Sequence, residues 1–161
     1  MRVAIITSSD SGYAGTREDQ SGPVIRDMMT EAGYEIVSAD LLPDDFDRLK
    51  SRIMEICDQG SADLILTTGG TGFSPRDVMP EVTKAVSERD VPGIPEAMRA
   101  NSMQYTDRSM LSRAAAGIRK STLIINLPGS PKAVRENLSF ILGPLRHGLE
   151  ILTGQAGNCA R

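Results

Sequence analysis

Tryptophan is absent from this sequence of 161 residues, and tyrosine and phenylalanine occur three times each. The chain therefore lacks the aromatic platforms on which single-stranded nucleic acids stack. Basic residues are not in excess either: the formal net charge is -3, and a nucleic-acid binder would carry a positive face. No apolar run approaches the ~18 residues of a spanning helix, and the opening MRVAIITSSD has no signal-cleavage pattern. The two cysteines are Cys57, inside a helical pattern, and Cys159, in the tail. They support neither a disulfide framework nor a zinc site, so a reducing cytoplasm is the default. The one histidine, His147, lies next to Gly148 in the C-terminal helical stretch. A surface or helix-dipole role suits it better than a nucleophilic triad. With no room for two ordinary domains of ~100 to 150 residues, we expect a soluble, unprocessed single domain over 1–155 and a flexible tail over 156–161.

Charge is unevenly spread. Residues 1–80 hold 7 Lys and Arg against 14 Asp and Glu, and residues 81–161 hold 11 against 7, so -7 and +4 make up the net -3. Solvated surface explains such a split, and so does a ligand that needs carboxylates through a metal and cations through phosphates.

The hydrophobic pattern alternates between strand and helix. RVAIIT at 2–7, Tyr34 to Leu42 and DLILTT at 63–68 read as strands. Helical patterns run through Val24, Ile25, Met28, Met29 and Ala32, then through Phe46, Leu49, Ile53, Ile56 and Cys57, then from Asp77 to Val86. Gly33 and Gly60 stop the first two. This βαβαβα order implies a parallel sheet with helices on both faces. In the second half Pro92 and Pro95 open a helix through Met98 and Met103, and Met110 to Arg119 pairs with Thr122 to Leu127 through Lys120-Ser121. A last helix carries Val134, Leu138, Ile141 and Leu142, breaks at Gly143-Pro144 and resumes through Leu145, Leu149 and Leu152. Methionines 28, 29, 98, 103 and 110 suit core or interface, with core the default at helical spacing.

Ligands of open parallel sheets sit beyond the carboxyl ends of the strands. Four loops should meet there: Ser8 to Gly22, Pro43-Asp44, Gly69 to Asp77 and Pro128 to Pro131. Gly69, Gly70 and Gly72 let backbone N–H groups approach an anion, with a helix N-terminus just downstream. Ser130-Pro131 offers a hydroxyl cap and an N1 proline, which also serves as an ordinary helix start. Asp44 and Asp77 each suit a helix start too, but two acids beside a phosphate-type loop match magnesium, whose shell the substrate phosphates complete. Asp10 and Asp19 are further candidates, and Arg76 and Arg113 are candidates for screening charge or for plain surface pairing. GGTGFSPRD is not a P-loop, because no lysine follows it, and the first turn lacks G-x-G-x-x-G. Metal-assisted phosphoryl or nucleotidyl chemistry is the enzyme class that fits.

The segments LTTGGTGFSPRDVMPEVT (66–83), PGIPEAMR (92–99), MLSRAAAGIR (110–119) and TLIINLPGSPKAV (122–134) together resemble the molybdenum-cofactor biosynthesis family typified by MogA and MoaB. SSD at 8–10, DQSG at 19–22 and LLPDD at 41–45 agree, so the resemblance runs in order through nearly the whole chain. It implies a three-layer α/β/α sandwich with a mostly parallel sheet that binds molybdopterin and assembles as a homotrimer or hexamer. MogA-type enzymes use ATP and Mg2+ to adenylylate the terminal phosphate of molybdopterin and release pyrophosphate before metal insertion. Hand-over to the metal-insertion protein is a further implication. Carried over residue by residue, Asp44 and Asp77 match the functional, metal-holding acids. Ser8, Asp10, Gly69, Gly70, Thr71, Gly72, Ser112, Pro128, Gly129 and Ser130 match ligand-contacting positions. Met79 departs from the threonine many relatives carry in R-D-V-T-P. Two other readings compete: a MoaB-type binding or scaffold protein without adenylyl transfer, and a flavodoxin-like electron carrier, which the scarcity of aromatics opposes.

Overall fold

The computed structural model describes residues 1–155. Cys159 and the tail expected over 156–161 lie outside the described residues. The strands are β1 (Arg2–Ser8), β2 (Glu35–Leu42), β3 (Leu64–Thr68), β4 (Arg89–Asp90), β5 (Ala116–Arg119) and β6 (Thr122–Leu127). The helices are α1 (Asp10–Tyr13), α2 (Ser21–Glu31), α3 (Phe46–Gln59), α4 (Met79–Val86), α5 (Gly93–Ser102) and α6 (Pro131–Leu152), with a 3-10 turn at Asp107–Leu111.

One six-stranded sheet runs in the order β2-β1-β3-β6-β5-β4. The first four strands are parallel, while β5 and β4 join antiparallel. β3 and β6 are buried at every position, as expected of apolar runs covered on both sides. β2 alternates exposed and half-buried residues because it is an edge. Period-two alternation then divides the core. Val3, Ile5, Leu64, Leu66, Leu123 and Ile125 pack under α2, α5 and α6. Ala4, Ile6, Ile65 and Ile124 pack under α3 and α4. The result is the expected three-layer sandwich.

Register sets the site's location. Ser8 pairs with Leu42, Thr7 with Thr68, and Thr68 with Leu127, so four strands end level and four loops leave the same edge. β1 lies between β2 and β3, and the chain winds outward in both directions from it. The loops after β1 and β3 thus part at the point where ligands enter such sheets.

Several expectations need correction. The hairpin begins at Ala116 rather than Met110, because residues 107–111 form a 3-10 turn without a buried residue. Met110 and Met103 are accordingly exposed, whereas Met29 and Met98 are core residues. The final helix does not break at Gly143-Pro144: α6 is continuous with Pro144 inside it. Pro144 removes one helical bond, but Val134, Leu138, Ile141, Leu145 and Leu149 stay buried on one stripe across it and hold both halves to the sheet. α4 starts at Met79, not Asp77, so no helix begins directly behind Gly72. The first loop contains the short helix α1, capped by the Ser9 hydroxyl.

Candidate functional site

The site grows from the turn that ends β3. Gly69 and Gly70 have φ of +88° and +65°, which side-chain-bearing residues rarely adopt. At Gly69 space is also closed, since a Cβ there would stand 2.2 Å from the Ser8 carbonyl oxygen. The strand end behind this turn is tied to the last loop. Thr68 Oγ1 donates to the Pro128 carbonyl at 2.8 Å, and Ser21 Oγ donates to the Gly129 carbonyl at 2.7 Å. The Gly70 carbonyl accepts from Met79 N at 3.1 Å, and Met79 itself is fully buried. The departure at this position is therefore a core side chain rather than part of the cleft.

Of the adjacent acids after β2, Asp45 rather than Asp44 caps α3, accepting from Arg48 N at 2.9 Å. Asp44 turns inward to β1. Its Oδ1 accepts from Ser8 Oγ at 2.6 Å and its Oδ2 from Asp10 N at 3.0 Å. Asp10 Oδ1 in turn accepts from Asp44 N at 3.0 Å. The two aspartates thus lock the loops after β1 and β2 together. Asp10 also takes both prongs of Arg76, at 2.9 and 3.0 Å, and this guanidinium holds the Asp10 carboxyl below its ordinary range. The contact crosses from the β1 loop to the β3 loop. Asp19 is committed locally: it accepts from Ser21 N, Gly22 N and Thr7 Oγ1, and so fixes the start of α2.

Asp77 closes a small loop. Its Oδ2 accepts from Ser74 N at 2.9 Å, while its own N–H donates to the Ser74 carbonyl at 2.9 Å. From the other side Arg113 reaches in, donating through Nε to the Gly72 carbonyl at 2.7 Å and through Nη2 to the Asp77 carbonyl at 2.6 Å. A third nitrogen, Nη1, pairs with Glu81.

These residues frame two adjoining clefts. One, of ≈ 230 Å³, is lined by Ser8, Asp19, Asp44, Gly69, Gly70, Asp77 and Gly129 among others. The second, of ≈ 280 Å³, has Thr71, Gly72, Ser112 and Pro128 in its wall, with Pro95, Met98 and Leu111 as apolar lining. The candidate residues are therefore gathered but divided. Asp10 and Ser130 line neither cleft: Asp10 supports the first through its bonds with Asp44, and Ser130 caps α6 by accepting from Ala133 N at 3.5 Å.

Both acids lie against bare glycine backbone, Asp44 beside Gly70 of the first cleft and Asp77 beside Gly72, which lines the second. A Cβ at Gly70 would come within 3.5 Å of Asp44 Oδ1, and one at Gly72 within 2.9 Å of Asp77 Oδ2. Two hard carboxylate donors beside a glycine turn, where any side chain would crowd them, suit Mg2+, which leaves the rest of its octahedron to phosphates and water. Among the described residues no group of three or more acids, histidines or cysteines is placed to hold a metal without such help.

Sequence reasoning missed Arg99, which lines the second cleft and donates to the Ser112 and Ala114 carbonyls at 3.3 and 3.1 Å. It missed the buried pair there too, in which Ser102 Oγ donates to Asn137 Oδ1 at 3.1 Å. No spacing in the sequence connects α5 with α6, so nothing local signals these contacts.

Residues 4–147 match the family model described as a probable molybdopterin binding domain. A molybdopterin adenylyltransferase of Helicobacter pylori is 37% identical over 96% of this chain and 89% of its own length. That of Escherichia coli K12 is 38% identical over 88% and 73%. Among solved structures, the molybdopterin biosynthesis enzyme MoaB of Thermus thermophilus superposes with a TM-score of 0.90 at 43% identity, covering 95% of this chain and 96% of that one.

Proposed function

Since the chain belongs to the family of molybdopterin binding domains, we propose that the two clefts are the halves of one adenylyl-transfer site. The protein acts in molybdenum cofactor biosynthesis as a molybdopterin adenylyltransferase. The terminal phosphate of molybdopterin attacks the α-phosphorus of ATP, the new P–O–P bond joins AMP to the cofactor, and pyrophosphate leaves. No protein nucleophile is needed, so the residues have to position and neutralise.

One observation carries this reading: Asp44 and Asp77, from loops 33 residues apart in sequence, face the same cleft across a glycine turn. They would hold Mg2+, which when bound offsets phosphate charge at the reacting centre. Asp44 is pre-set by Ser8 and by Asp10, and the Gly69–Gly72 backbone offers N–H groups to phosphate. The second cleft, with Ser112, Pro128 and its apolar lining, takes the pterin. Arg76, held by Asp10, is the nearby cation proposed to screen incoming charge.

Residues 1–155 form one domain in this proposal, working in the cytoplasm as a homotrimer or hexamer and passing its product to a metal-insertion protein. The free, buried thiol of Cys57 suits a reducing compartment. Among the described residues no helix is long and apolar enough to cross a membrane. Incubation with molybdopterin, ATP and Mg2+ should yield the adenylylated cofactor and pyrophosphate. Tight pterin binding without product would replace this reading by the MoaB-type scaffold.

A further inference from the structure

We infer that Arg113 is a positioning residue that sets the metal-holding carboxylate of Asp77 from the far side of the glycine loop. The inference rests on the adenylyl-transfer reading for its kinetic consequence, though not for its binding consequence. Arg113 stitches both ends of the segment between Gly72 and Asp77. Its guanidinium donates to the Gly72 carbonyl at 2.7 Å and to the Asp77 carbonyl at 2.6 Å, and its backbone N–H donates to the Thr71 carbonyl at 3.0 Å. Nη1 is anchored by Glu81 on α4, so the fork is itself held on three sides.

This geometry explains how an exposed loop can place an acid. Residues 73–76 are all exposed, and the internal Ser74–Asp77 bonds shape the loop without attaching it to anything. It is attached at its base by the Arg113 contacts and the Met79 N bond to the Gly70 carbonyl, and at its outer turn by the solvent-exposed Arg76–Asp10 pair, a weaker hold in water. A planar guanidinium meets three separate acceptors at once, whereas a lysine ammonium is a compact charge that cannot span them. Ser112, the preceding residue, lines the second cleft. Arg113, bonded in sequence to Ser112 and hydrogen-bonded to the Gly72 and Asp77 carbonyls, therefore also connects the two clefts, although it lines neither.

The test compares Arg113→Lys with wild type, in wild-type and Asp77→Asn backgrounds. Calorimetry reads ATP affinity across a range of Mg2+ concentrations, and turnover is followed with molybdopterin. Arg113→Lys should raise the half-saturating Mg2+ for ATP binding by roughly tenfold and lower kcat similarly, with little change in KM for molybdopterin, as misplacing one ligand of a preorganised site predicts. In the Asp77→Asn background the same substitution should add almost nothing, because residues acting through one another are not additive. Arg113→Gln, which keeps a two-donor amide, replaces the lysine variant should that fail to fold. Full additivity of the two substitutions, or an unchanged Mg2+ requirement, overturns the inference. A wild-type protein that binds Mg-ATP without turnover would remove the adenylyl-transfer reading while leaving the Mg2+ comparison decisive for Arg113.

Discussion

The two clefts share a wall but are built in different ways. The first is assembled by loops that leave parallel strands, and its Asp44 is pinned by bonds between neighbouring loops: Ser8 to Asp44 and Asp10 to Asp44, with Arg76 in turn on Asp10. The second is assembled by α5, the 3-10 turn and the start of α6, with Met98, Leu111 and Pro95 in its lining. In the proposed function, hydrogen-bonded charge stands where phosphates would react, and apolar surface where the pterin would rest. The division separates rate from affinity, and substitutions on either side should reveal it.

The largest effect is expected at the first cleft. Asp77→Asn should lower kcat for adenylyl transfer by ~10²-fold or more, as loss of a preorganised electrostatic group does, while molybdopterin affinity measured by fluorescence or calorimetry stays near wild type. An equal loss of both would erase the division. Next is the shared wall. Gly69→Ala forces a side chain into a left-handed conformation and against the Ser8 carbonyl, and should destabilise the fold by ~2 kcal/mol or more in urea unfolding. It should impair both clefts together. On the second side, Arg99→Leu frees the Ser112 and Ala114 carbonyls and should raise KM for molybdopterin about tenfold with a smaller change in kcat. Mg-ATP binding should not move.

The smallest effect belongs to the exposed Asp10–Arg76 pair, where solvent screening keeps such contacts weak. Arg76 depresses the Asp10 pKa, so the stabilisation is present above the ordinary carboxylate range and fades as pH falls through the lowered folded-state value. Wild type and Asp10→Asn should differ slightly in urea midpoint at pH 7, and converge in strong acid or high salt. A midpoint gap that grows on acidification would contradict this assignment.

Legibility followed the same boundary. The central parallel strands were readable because their short apolar runs are buried on both faces, and the turn glycines were readable because only they tolerate that backbone. Asp44, Gly69, Gly70 and Asp77 were placed correctly on one edge by the rule that loops after parallel strands converge. The hairpin start and the exposed Met103 and Met110 were misread. In that region β5 and β4 are short and antiparallel, and hydrophobic residues without a period say little about burial. Pro144 was misread for the opposite reason: a local breaker was overruled by a continuous buried stripe.

What the sequence determined by itself is the alternation of elements, the glycine turn and the inventory of acids, because these depend on neighbours within a few residues. Tertiary structure decided which acid does what. Asp45 and not Asp44 became the helix cap, Asp19 became a brace for α2, and Arg113 reached Gly72 and Asp77 across 41 and 36 positions. Side-chain partners at such separations are chosen by sheet order and register, which bring distant loops level, and no local pattern in the chain encodes that meeting.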